Sequence, residues 1–403
     1  MPDLEVELVG VKLRSPVILS SGPMGRSGSL IKRIAERTKV GAITTRCIGI
    51  TGHEGHMLKK NTRRYVNTPL GILSTDGPSD TSLEKWTQGI KEAKKTGIPI
   101  IASINIKKED PVDEVIELTT KLEEAGADFI EVAPSSCAVP VRRVHQGVED
   151  PNWKATVPSA EMGEHQNLDR AALILKTAKK AANIPVILKT RPEPPNLLKL
   201  VKVAGESGAD AIHIRDTLFC VMRFDIDSGR PLIVPVASTY WLDISGSMIK
   251  PIAVGDVMEA RRHTDMPIIG TGGVSNWQDA IEMIMAGATV VGLQTAALIE
   301  GPYVINRIVA GIENYLESKG YESIDEFRGL GIKKIDEEQK TPRKYSVQLE
   351  EILCDGCGKC EMSCIYDAIA MKNEKPVIDY KICTNCCLCS IVCPTNAIKV
   401  VEK

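Results

Sequence analysis

The stretch 267–296, PIIGTGGVSNWQDAIEMIMAGATVVGLQTA, predicts the fold of the chain more directly than any other segment. It begins with an apolar run at 268–270, passes through a glycine-rich turn into a helical pattern at 277–286, and ends with a second apolar run at 290–293. Nearly continuous apolar runs are typical of parallel strands that are buried on both faces. A helix between two such strands makes one repeat of an α/β fold.

The same alternation extends through the first 330 residues. One of the helical patterns, PVDEVIELTTKLEEA at 111–125, stops before Gly126, as a helix that ends on glycine should. Eight such repeats in about 300 residues predict a (β/α)8 TIM barrel, and an open doubly wound sheet remains the structural alternative. The eight predicted strands are 17–19, 42–45, 98–104, 129–132, 186–188, 211–214, 268–270 and 290–293.

Three connections are longer than is usual between a strand and the helix that follows it. They span 46–82, 133–166 and 215–246, and they follow predicted strands two, four and six. The active sites of such barrels lie at the C-terminal ends of the strands. We therefore expect the three long connections to surround a substrate site.

The cysteines predict a second, metal-binding domain. Nine of the twelve fall between Cys354 and Cys393, and two copies of the spacing C-x2-C-x2-C-x3-C account for eight of them. In two-cluster bacterial ferredoxins the fourth cysteine of each copy ligates the other cluster. The spacing therefore predicts two 4Fe–4S clusters, with a pair of four-cysteine zinc sites as the alternative. The predicted ligands are Cys354, Cys357, Cys360 and Cys393 for the first cluster, and Cys383, Cys386, Cys389 and Cys364 for the second.

These patterns divide the chain into three predicted parts. A barrel domain covers 1–330, and a small α+β ferredoxin domain of the bacterial 2x(4Fe-4S) type covers 347–403. Between them, GIKKIDEEQKTPRKYS at 331–346 is polar and mixed in charge, which is typical of a linker.

Charge and hydropathy exclude several classes of protein. The formal net charge is -2, so the chain lacks the basic surface that nucleic acid or an anionic membrane attracts. No uninterrupted apolar stretch approaches the roughly 18–20 residues of a membrane span. The start of the chain, MPDLEVELVG, lacks the basic and apolar regions of a secretory signal. We therefore expect a cytoplasmic protein.

Three features of the barrel indicate a cofactor that carries a phosphate. Gly270-Thr271-Gly272-Gly273 follows strand seven, where glycines let backbone N–H groups approach a phosphate. The segment 292–296, GLQTA, follows strand eight, and these two loops form the usual phosphate site of a barrel. Lys189 ends strand five, so its ammonium group should point into the mouth of the barrel, opposite the negative edge of a reduced flavin.

With these motifs in place, the barrel resembles the dihydroorotate dehydrogenase family, and the whole chain is similar to the pyrimidine-reducing part of dihydropyrimidine dehydrogenases. The resemblance implies FMN and an FMN-dependent enzyme that acts on a CH–CH bond. The segments that carry it are SPVILSSGP (15–23), GAITTR (41–46), EEAGADFIEV (123–132), IPVILKT (184–190), ESGADAI (206–212), ISGSMIKPIA (244–253) and the stretch 267–296. The flavin contacts that it implies are Ser20, Ser21, Gly22, Thr45, Arg46, Lys189, Asp216, Thr217, Ser245, Gly246, Gly272, Gly273, Gln294 and Thr295.

The proton donor that the resemblance implies follows strand four. The family usually has N-x-[SC]-[SC]-P-N there, whereas this chain reads APSSCA at 133–138, so Ser136 matches the catalytic base and Cys137 is its neighbour. We expect one of the two to exchange a proton with the substrate. His145 and His165, in the same connection, are the alternatives.

The residues that read a pyrimidine ring in this family are changed. Ala133, Asp216-Thr217 and the segment LSTDGPSD at 73–80 stand where the family has asparagines. Each ring group that loses its partner costs roughly 1–3 kcal/mol. We therefore expect a substrate other than dihydroorotate or uracil.

Two functional classes remain open at this level. In the first, the chain is an enzyme that reduces or oxidises an activated C=C bond and passes electrons between FMN and the clusters; a true dihydropyrimidine or dihydroorotate dehydrogenase is a variant of it. In the second, it is a flavin-poor electron-transfer subunit. No G-x-G-x-x-G motif follows a strand, so we expect a separate NAD(P)H-oxidising flavoprotein subunit or a ferredoxin as electron partner, and a homo- or hetero-oligomer. Because iron–sulfur clusters of this type are exposed, we also expect an anaerobic setting.

Overall fold

The computed structural model divides the chain into two compact units, Met1–Ile332 and Lys333–Lys403. It describes residues 3–51, 63–75, 79–106, 108, 110–133, 140–141, 144–145, 148–149, 155–156, 164–190, 197–215, 217–221, 223–233 and 241–402. Side chains at 140–167, 219–222 and 241 are not among the described features. Each unit has its own hydrophobic core.

The first unit is a closed barrel of eight parallel strands, which confirms the predicted fold class and excludes the open sheet. Each strand pairs with the next in chain order, and strand eight pairs with strand one. The strand residues are fully buried because the barrel interior covers one face and the helices cover the other. The strands are Val17–Leu19, Ile43–Thr44, Ile100–Ile104, Phe129–Val132, Val186–Lys189, Ala211–Ile214, Ile268–Thr271 and Val290–Leu293.

A helix follows each strand, and several of these helices begin at a capping residue. The side chain of Ser27 accepts a hydrogen bond from the backbone of the first barrel helix, and Asn276 and Asp279 form a capping box on the seventh. A short extra helix precedes the eighth. The helices are Gly28–Arg37, Leu83–Lys94, Val112–Glu124, Glu164–Ala181, Leu197–Glu206, Lys250–Arg261, Trp277–Met285, the short Thr295–Glu300, and Val304–Lys319.

A short hairpin that the sequence patterns did not predict precedes strand one. Strands Val6–Leu8 and Val11–Leu13 pair in antiparallel fashion around a turn at Val9-Gly10. Leu8 and Leu13 are fully buried in the main core. Strands of three residues are too short for an alternating pattern to stand out in sequence.

The long connections after strands two and six meet in a sheet of their own. Strand Gly71–Ser74 of the first connection pairs with Trp241–Ser245 of the second, so that two segments far apart in sequence become neighbours. The sheet has four antiparallel strands in the order Leu218–Val221, Trp241–Ser245, Gly71–Ser74, Tyr65–Thr68. In the connection after strand four, the described backbone forms two small pairs, Pro140–Val141 with Ala155–Thr156 and Val144–His145 with Val148–Glu149.

The predicted linker, 331–346, has regular secondary structure. Most of it lies in the helix Leu330–Lys340, and its last residues begin the strand Tyr345–Leu349. Lysine, glutamate and glutamine favour helix even without burial, and Lys334 and Glu337 form an ion pair one turn apart. Polarity alone therefore did not distinguish an exposed helix from a flexible linker.

The second unit is small and built on two antiparallel pairs. Tyr345–Leu349 pairs with Ile398–Glu402, and Ile369–Lys372 pairs with Lys375–Ile378. Two short helices, Lys359–Met362 and Leu388–Val392, follow the cysteine-rich loops.

No described helix is both long enough and sufficiently apolar to cross a lipid bilayer.

Two helical glycines test the packing around the barrel. A methyl group at Gly311 would lie 2.5 Å from Cδ1 of Trp277, whereas a methyl group at Gly255 would meet nothing within 4 Å. Gly311→Ala should therefore lower the unfolding free energy by about 1–3 kcal/mol through overpacking. Gly255→Ala should raise it by about 0.5–1 kcal/mol, because alanine favours helix. Urea unfolding followed by circular dichroism measures both changes, and shifts of the same sign would contradict this packing.

Candidate active site and iron–sulfur centres

Side chains that are polar or ionisable replace aliphatic ones where the barrel strands end. They are all buried, and they come from seven of the eight strands or the residues just after them. Barrel interiors are normally filled by branched aliphatic side chains, so this set marks the end of the core and the floor of the mouth. We call it the polar layer: Ser20, Cys47, Ser103, Glu131, Lys189, His213 and Thr271.

The centre of the polar layer is a hydrogen-bonded pair between strands four and six. Nδ1 of His213 lies 2.5 Å from Oε2 of Glu131, and neither side chain is exposed to solvent. Burial raises the pKa of Glu131, but the interactions with His213 and Lys189 outweigh it and hold that pKa below its usual range. Glu131 is therefore a carboxylate, which can only accept, and Nδ1 of His213 carries the proton that it receives.

A chain of hydroxyl groups leads from His213 across the barrel. Nε2 of His213 lies 3.4 Å from Oγ of Ser20, and Ser20 lies 3.3 Å from Oγ1 of Thr271. Thr271 in turn donates to the carbonyl oxygen of Gly292 at 2.9 Å. A side chain at Gly292 would overlap the Ser20 hydroxyl, so glycine is required for this approach.

Close backbone contacts hold the loops that surround the mouth. A Cβ atom on Gly246 would lie 2.5 Å from Cα of Gly71 and 2.9 Å from the carbonyl oxygen of Leu70, and Gly246 has a φ of 105°. Ser245, just before it, accepts a 2.8 Å hydrogen bond from the hydroxyl of Thr295 after strand eight. The connections after strands two, six and eight are therefore fixed against one another.

The glycines after strand seven also adopt left-handed backbone conformations. Gly272 and Gly273 have φ values of 109° and 86°. A Cβ atom on Gly273 would lie 2.7 Å from the backbone nitrogen of Lys250 at the start of the sixth barrel helix. Only glycine fits this turn, as a loop that exposes its backbone N–H groups to a phosphate requires.

Gln294 gives a direct test of whether the mouth fits a ligand. Its amide packs on Gly22, where a Cβ atom would lie 2.6 Å from the amide carbon. Both the nitrogen and the oxygen of this amide are buried, and neither has a hydrogen-bond partner among the described residues. Buried polar groups are nearly always paired. An orphaned amide above a glycine cradle is the arrangement expected where a phosphate-bearing cofactor supplies the missing partners.

Some predicted flavin contacts have protein partners, and others lie outside the described residues. The hydroxyl of Thr45 accepts a 3.0 Å hydrogen bond from the backbone of Ser103, and Thr217 donates to Asp243 at 2.8 Å. Ser21 and Arg46 are half-buried. Asp216, Ser136 and Cys137 lie outside the described residues, as do the side chains of His145 and His165.

Sequence reasoning missed Glu131, His213 and Cys47. The signal was present for the first two: FIEV and AIHI each contain one ionisable residue inside an apolar strand. Burial of such a residue requires a partner. The partner could not be identified, because only the order of strands in the sheet places strands four and six on either side of strand five. Cys47 carries no comparable signal, and its thiol lies 3.4 Å from the hydroxyl of Ser103.

In the second unit, cysteines line a small pocket. Its lining includes Cys354, Cys357, Cys360 and Cys393, the four thiols that the crossed spacing predicts for the first cluster. Cys364, Cys383 and Cys389 share the small core of the same unit.

Within the described part of the chain, no three Cys, His, Asp or Glu side chains converge closely enough to hold a single metal ion.

The two cysteine loops have matching backbone conformations. Three pairs of equivalent residues have positive φ, and each short helix begins after one of them. Glycine takes this conformation without strain, whereas the second loop uses asparagine and a cysteine. Cys387, the cysteine outside the predicted ligand set, is the helix cap that corresponds to Gly358, and its thiol donates to the carbonyl of Asn385. The pairs are Gly356 and Asn385, Gly358 and Cys387, and Asp367 and Asn396.

The fourth cysteine of each loop also has equivalent surroundings. The backbone N–H of Ala368 donates to the sulfur of Cys364, and that of Ala397 donates to Cys393, both at 3.2 Å. Hydrogen bonds to sulfur are among the features that set the reduction potential of a cluster.

Comparison with known proteins identifies both units. The model of the family described as dihydroorotate dehydrogenase matches residues 3–316. The chain belongs to the dihydroorotate dehydrogenase family. The 4Fe-4S binding domain family matches residues 376–399. As a member of the first family with a domain of the second, the chain is an iron–sulfur flavoprotein oxidoreductase that acts on a CH–CH bond, and its cofactors are FMN and two 4Fe–4S clusters.

Similar proteins differ in how much of the chain they match. The catalytic subunit of dihydroorotate dehydrogenase B (NAD(+)) from Caldicellulosiruptor saccharolyticus is 34% identical over 81% of this chain and 98% of its own length. The corresponding subunit from Methanothermobacter thermautotrophicus is 29% identical with the same coverage. The NAD-dependent dihydropyrimidine dehydrogenase subunit PreA of Escherichia coli is 26% identical, but it matches 99% of this chain and 96% of its own length. Similarity to PreA therefore extends over both units.

Replacing Gly246 tests the contact that fixes the mouth. Gly246→Ala should lower the unfolding free energy by roughly 2–5 kcal/mol, from left-handed strain plus a clash with backbone atoms, and it should reduce bound FMN. Gly229→Ala is the matched control: Gly229 also has positive φ, at 67°, but nothing lies within 4 Å of its Cβ position. In the control, the unfolding free energy should fall only by the cost of the left-handed backbone strain, about 1–2 kcal/mol. Equal losses of stability and FMN in both variants would contradict the close contact.

Paired substitutions test the crossed ligation. Cys393→Ser should reduce the iron content from about eight to about four per chain, and adding Cys354→Ser should remove no more, because both serve the first cluster. Adding Cys383→Ser to Cys393→Ser instead should remove nearly all iron, because Cys383 serves the second cluster. Cys387→Gly, the control, should keep all of it. The iron content of anaerobically purified protein measures these losses. Crossed ligation would be refuted if the variant with Cys354→Ser lost nearly all iron and the variant with Cys383→Ser kept about four irons per chain.

Proposed function

We propose that this enzyme reduces or oxidises an activated C=C bond of a small carbonyl compound other than a pyrimidine, and that electrons pass between FMN and the two clusters. The observation that carries the proposal is the orphaned amide of Gln294 above Gly22, in the same mouth as the buried ammonium group of Lys189. When bound, FMN supplies hydride exchange with a carbon atom and single-electron exchange with iron–sulfur clusters.

The residues of the mouth divide the task of holding the cofactor. Gln294, Thr295 and the turn at Gly272-Gly273 would bind the phosphate. Ser20, Ser21 and Gly22 would support the ring system from the polar layer, together with Thr45 and Arg46. Lys189 would hold a positive charge near the flavin and oppose negative charge that develops there.

The proposal that the substrate is not a pyrimidine rests on the floor beside strand four. Ala133 follows Val132 directly and is fully buried, and its methyl group can neither donate nor accept a hydrogen bond. A pyrimidine ring presents alternating donors and acceptors, which need polar partners. A less polar unsaturated ketone, ester or acid loses nothing against a methyl group. Ser136 and Cys137 remain the proposed proton donors.

An external electron partner is the remaining part of the proposal. The relatives are named as subunits of NAD-linked dehydrogenases, and in this chain Cys357 and Cys386 are exposed. A separate NAD(P)H-oxidising flavoprotein subunit in a hetero-oligomer fits both facts, and a free ferredoxin is the alternative. Exposed cluster ligands also fit a cytoplasmic enzyme of an anaerobic cell, since oxygen destroys exposed clusters. Iron content and activity that survive aerobic purification would contradict the anaerobic setting.

Purification under argon tests the function. The protein should release one FMN on acid treatment and contain about eight irons per chain. Unsaturated carbonyl compounds should then re-oxidise the reduced flavin, whereas uracil and orotate should not. Fast turnover of either pyrimidine would establish a pyrimidine reductase instead, and iron without flavin would establish an electron-transfer subunit.

Lys189→Met tests the electrostatic role of the lysine. Loss of the buried positive charge should make reduction of FMN harder and lower its two-electron potential by at least about 30 mV, or about 1.4 kcal/mol. Lys94→Met, the control, removes a lysine that pairs with Asp128 on the helical layer of the barrel, and it should leave the potential unchanged. Spectroelectrochemical titration gives both values. An unchanged potential in Lys189→Met would exclude this role.

A further inference from the structure

The structure assigns a second task to the polar layer: we propose that Glu131 and His213 form a buried proton store, which takes up one proton from solvent when the flavin is reduced and releases it on oxidation. The inference deepens the proposed function, because it rests on a flavin seated against Ser20. His213 is a positioning residue in this account, since it acts through the Ser20 hydroxyl.

The hydrogen bond to Glu131 fixes which nitrogen of His213 can gain or lose a proton. The carboxylate of Glu131 can only accept, so Nδ1 carries a proton in both charge states of the imidazole. Nε2 is therefore the atom that gains or loses the second proton, and it faces the hydroxyl of Ser20 at 3.4 Å. A buried imidazolium normally costs too much free energy to form, but a carboxylate at 2.5 Å offsets that cost.

The Ser20 hydroxyl has one proton and two competing acceptors. Thr271 donates its own proton to the carbonyl of Gly292, so it can only accept from Ser20. When Nε2 of His213 is bare, it competes with Thr271 for the Ser20 proton. When Nε2 is protonated, it donates to Ser20, and Ser20 donates to Thr271. The charge state of a buried histidine thereby sets the direction of a hydroxyl group on the floor of the mouth.

The net charge of the polar layer depends on the charge state of His213. With neutral imidazole, Glu131 and Lys189 cancel, so the layer has no net charge to offset a negative reduced flavin. The described members from strands one, two, three and seven add no fixed charge, being Ser20, Cys47, Ser103 and Thr271. The other buried cation near strand six, Arg215, pairs with Asp256 on the helical layer. Protonation of His213 is the change that leaves the layer positive.

An external reductant such as dithionite, or the clusters, would supply two electrons to bound FMN. FMN would take one proton with them, and its ring system would then carry one negative charge. A second proton passes from solvent to Nε2 of His213. No covalent bond to the protein forms or breaks, and re-oxidation returns both protons.

The test is the pH dependence of the flavin potential in the FMN-loaded full chain, measured by spectroelectrochemistry from about pH 5.5 to about pH 9. His213→Gln cannot take up the stored proton. The wild type should therefore take up one more proton per two electrons than this variant over the pH range in which His213 is neutral beside oxidised flavin and protonated beside reduced flavin, with a break in slope at the upper end of that range. Thr190→Val removes a buried hydrogen bond to the His213 carbonyl without touching the imidazole, and this control should match the wild type.

A second variant covers the case in which His213→Gln does not fold or bind FMN. Glu131→Gln removes the carboxylate that stabilises the imidazolium, so the break should move to lower pH. Plots for His213→Gln or Glu131→Gln that match the wild type would overturn the proton store. A wild type that holds no FMN would instead defeat the proposed function, so the two failures are distinguishable.

Discussion

Charged side chains inside a closed barrel impose the constraint on which the site depends. Lys189 is only 4% exposed, and Glu131 and His213 are completely buried. Such groups are tolerated in an apolar core only when they offset one another or oppose a bound ligand. The barrel meets this condition by bringing strands four, five and six together, so that each contributes one charged or titratable group to the same layer. The layer then provides a polar floor in an otherwise aliphatic interior.

A second constraint is the close approach of backbones above that floor. Gly246 against Gly71 fixes the connections after strands two and six, and Gly292 leaves room for the Ser20 hydroxyl. Larger residues at these positions would push the loops apart and widen the mouth. The glycines and the charges therefore serve one purpose: the first define the shape of the cofactor site, and the second define its potential.

The barrel could be predicted from sequence because each of its strands is a local signal. Apolar runs such as FIEV and VVGL, with a helix pattern between them, identify a repeat without knowledge of its neighbours. The cysteine spacing is local in the same sense. The family resemblance added the flavin, which composition and periodicity alone did not supply.

The features that sequence reasoning missed depend on contacts between distant segments. The pair Glu131–His213 joins strands 82 positions apart, and the small sheet joins Gly71–Ser74 to Trp241–Ser245. Neither of these two strands belongs to the strand–helix repeat by which the barrel strands were predicted. The helix Leu330–Lys340 was missed for the opposite reason, because it has no buried face and its polarity resembles that of a linker.

An anaerobic crystal structure recorded at the iron absorption edge tests the central claim most directly, which is that one chain seats FMN on the polar layer and carries two cubane clusters. The account predicts flavin density against Ser20 and Lys189 with the Gln294 amide bonded to the cofactor. It also predicts two separate iron peaks, the first of them bonded to Cys393. A mouth filled by protein side chains, or a single iron or zinc ion among the cysteines, would contradict it.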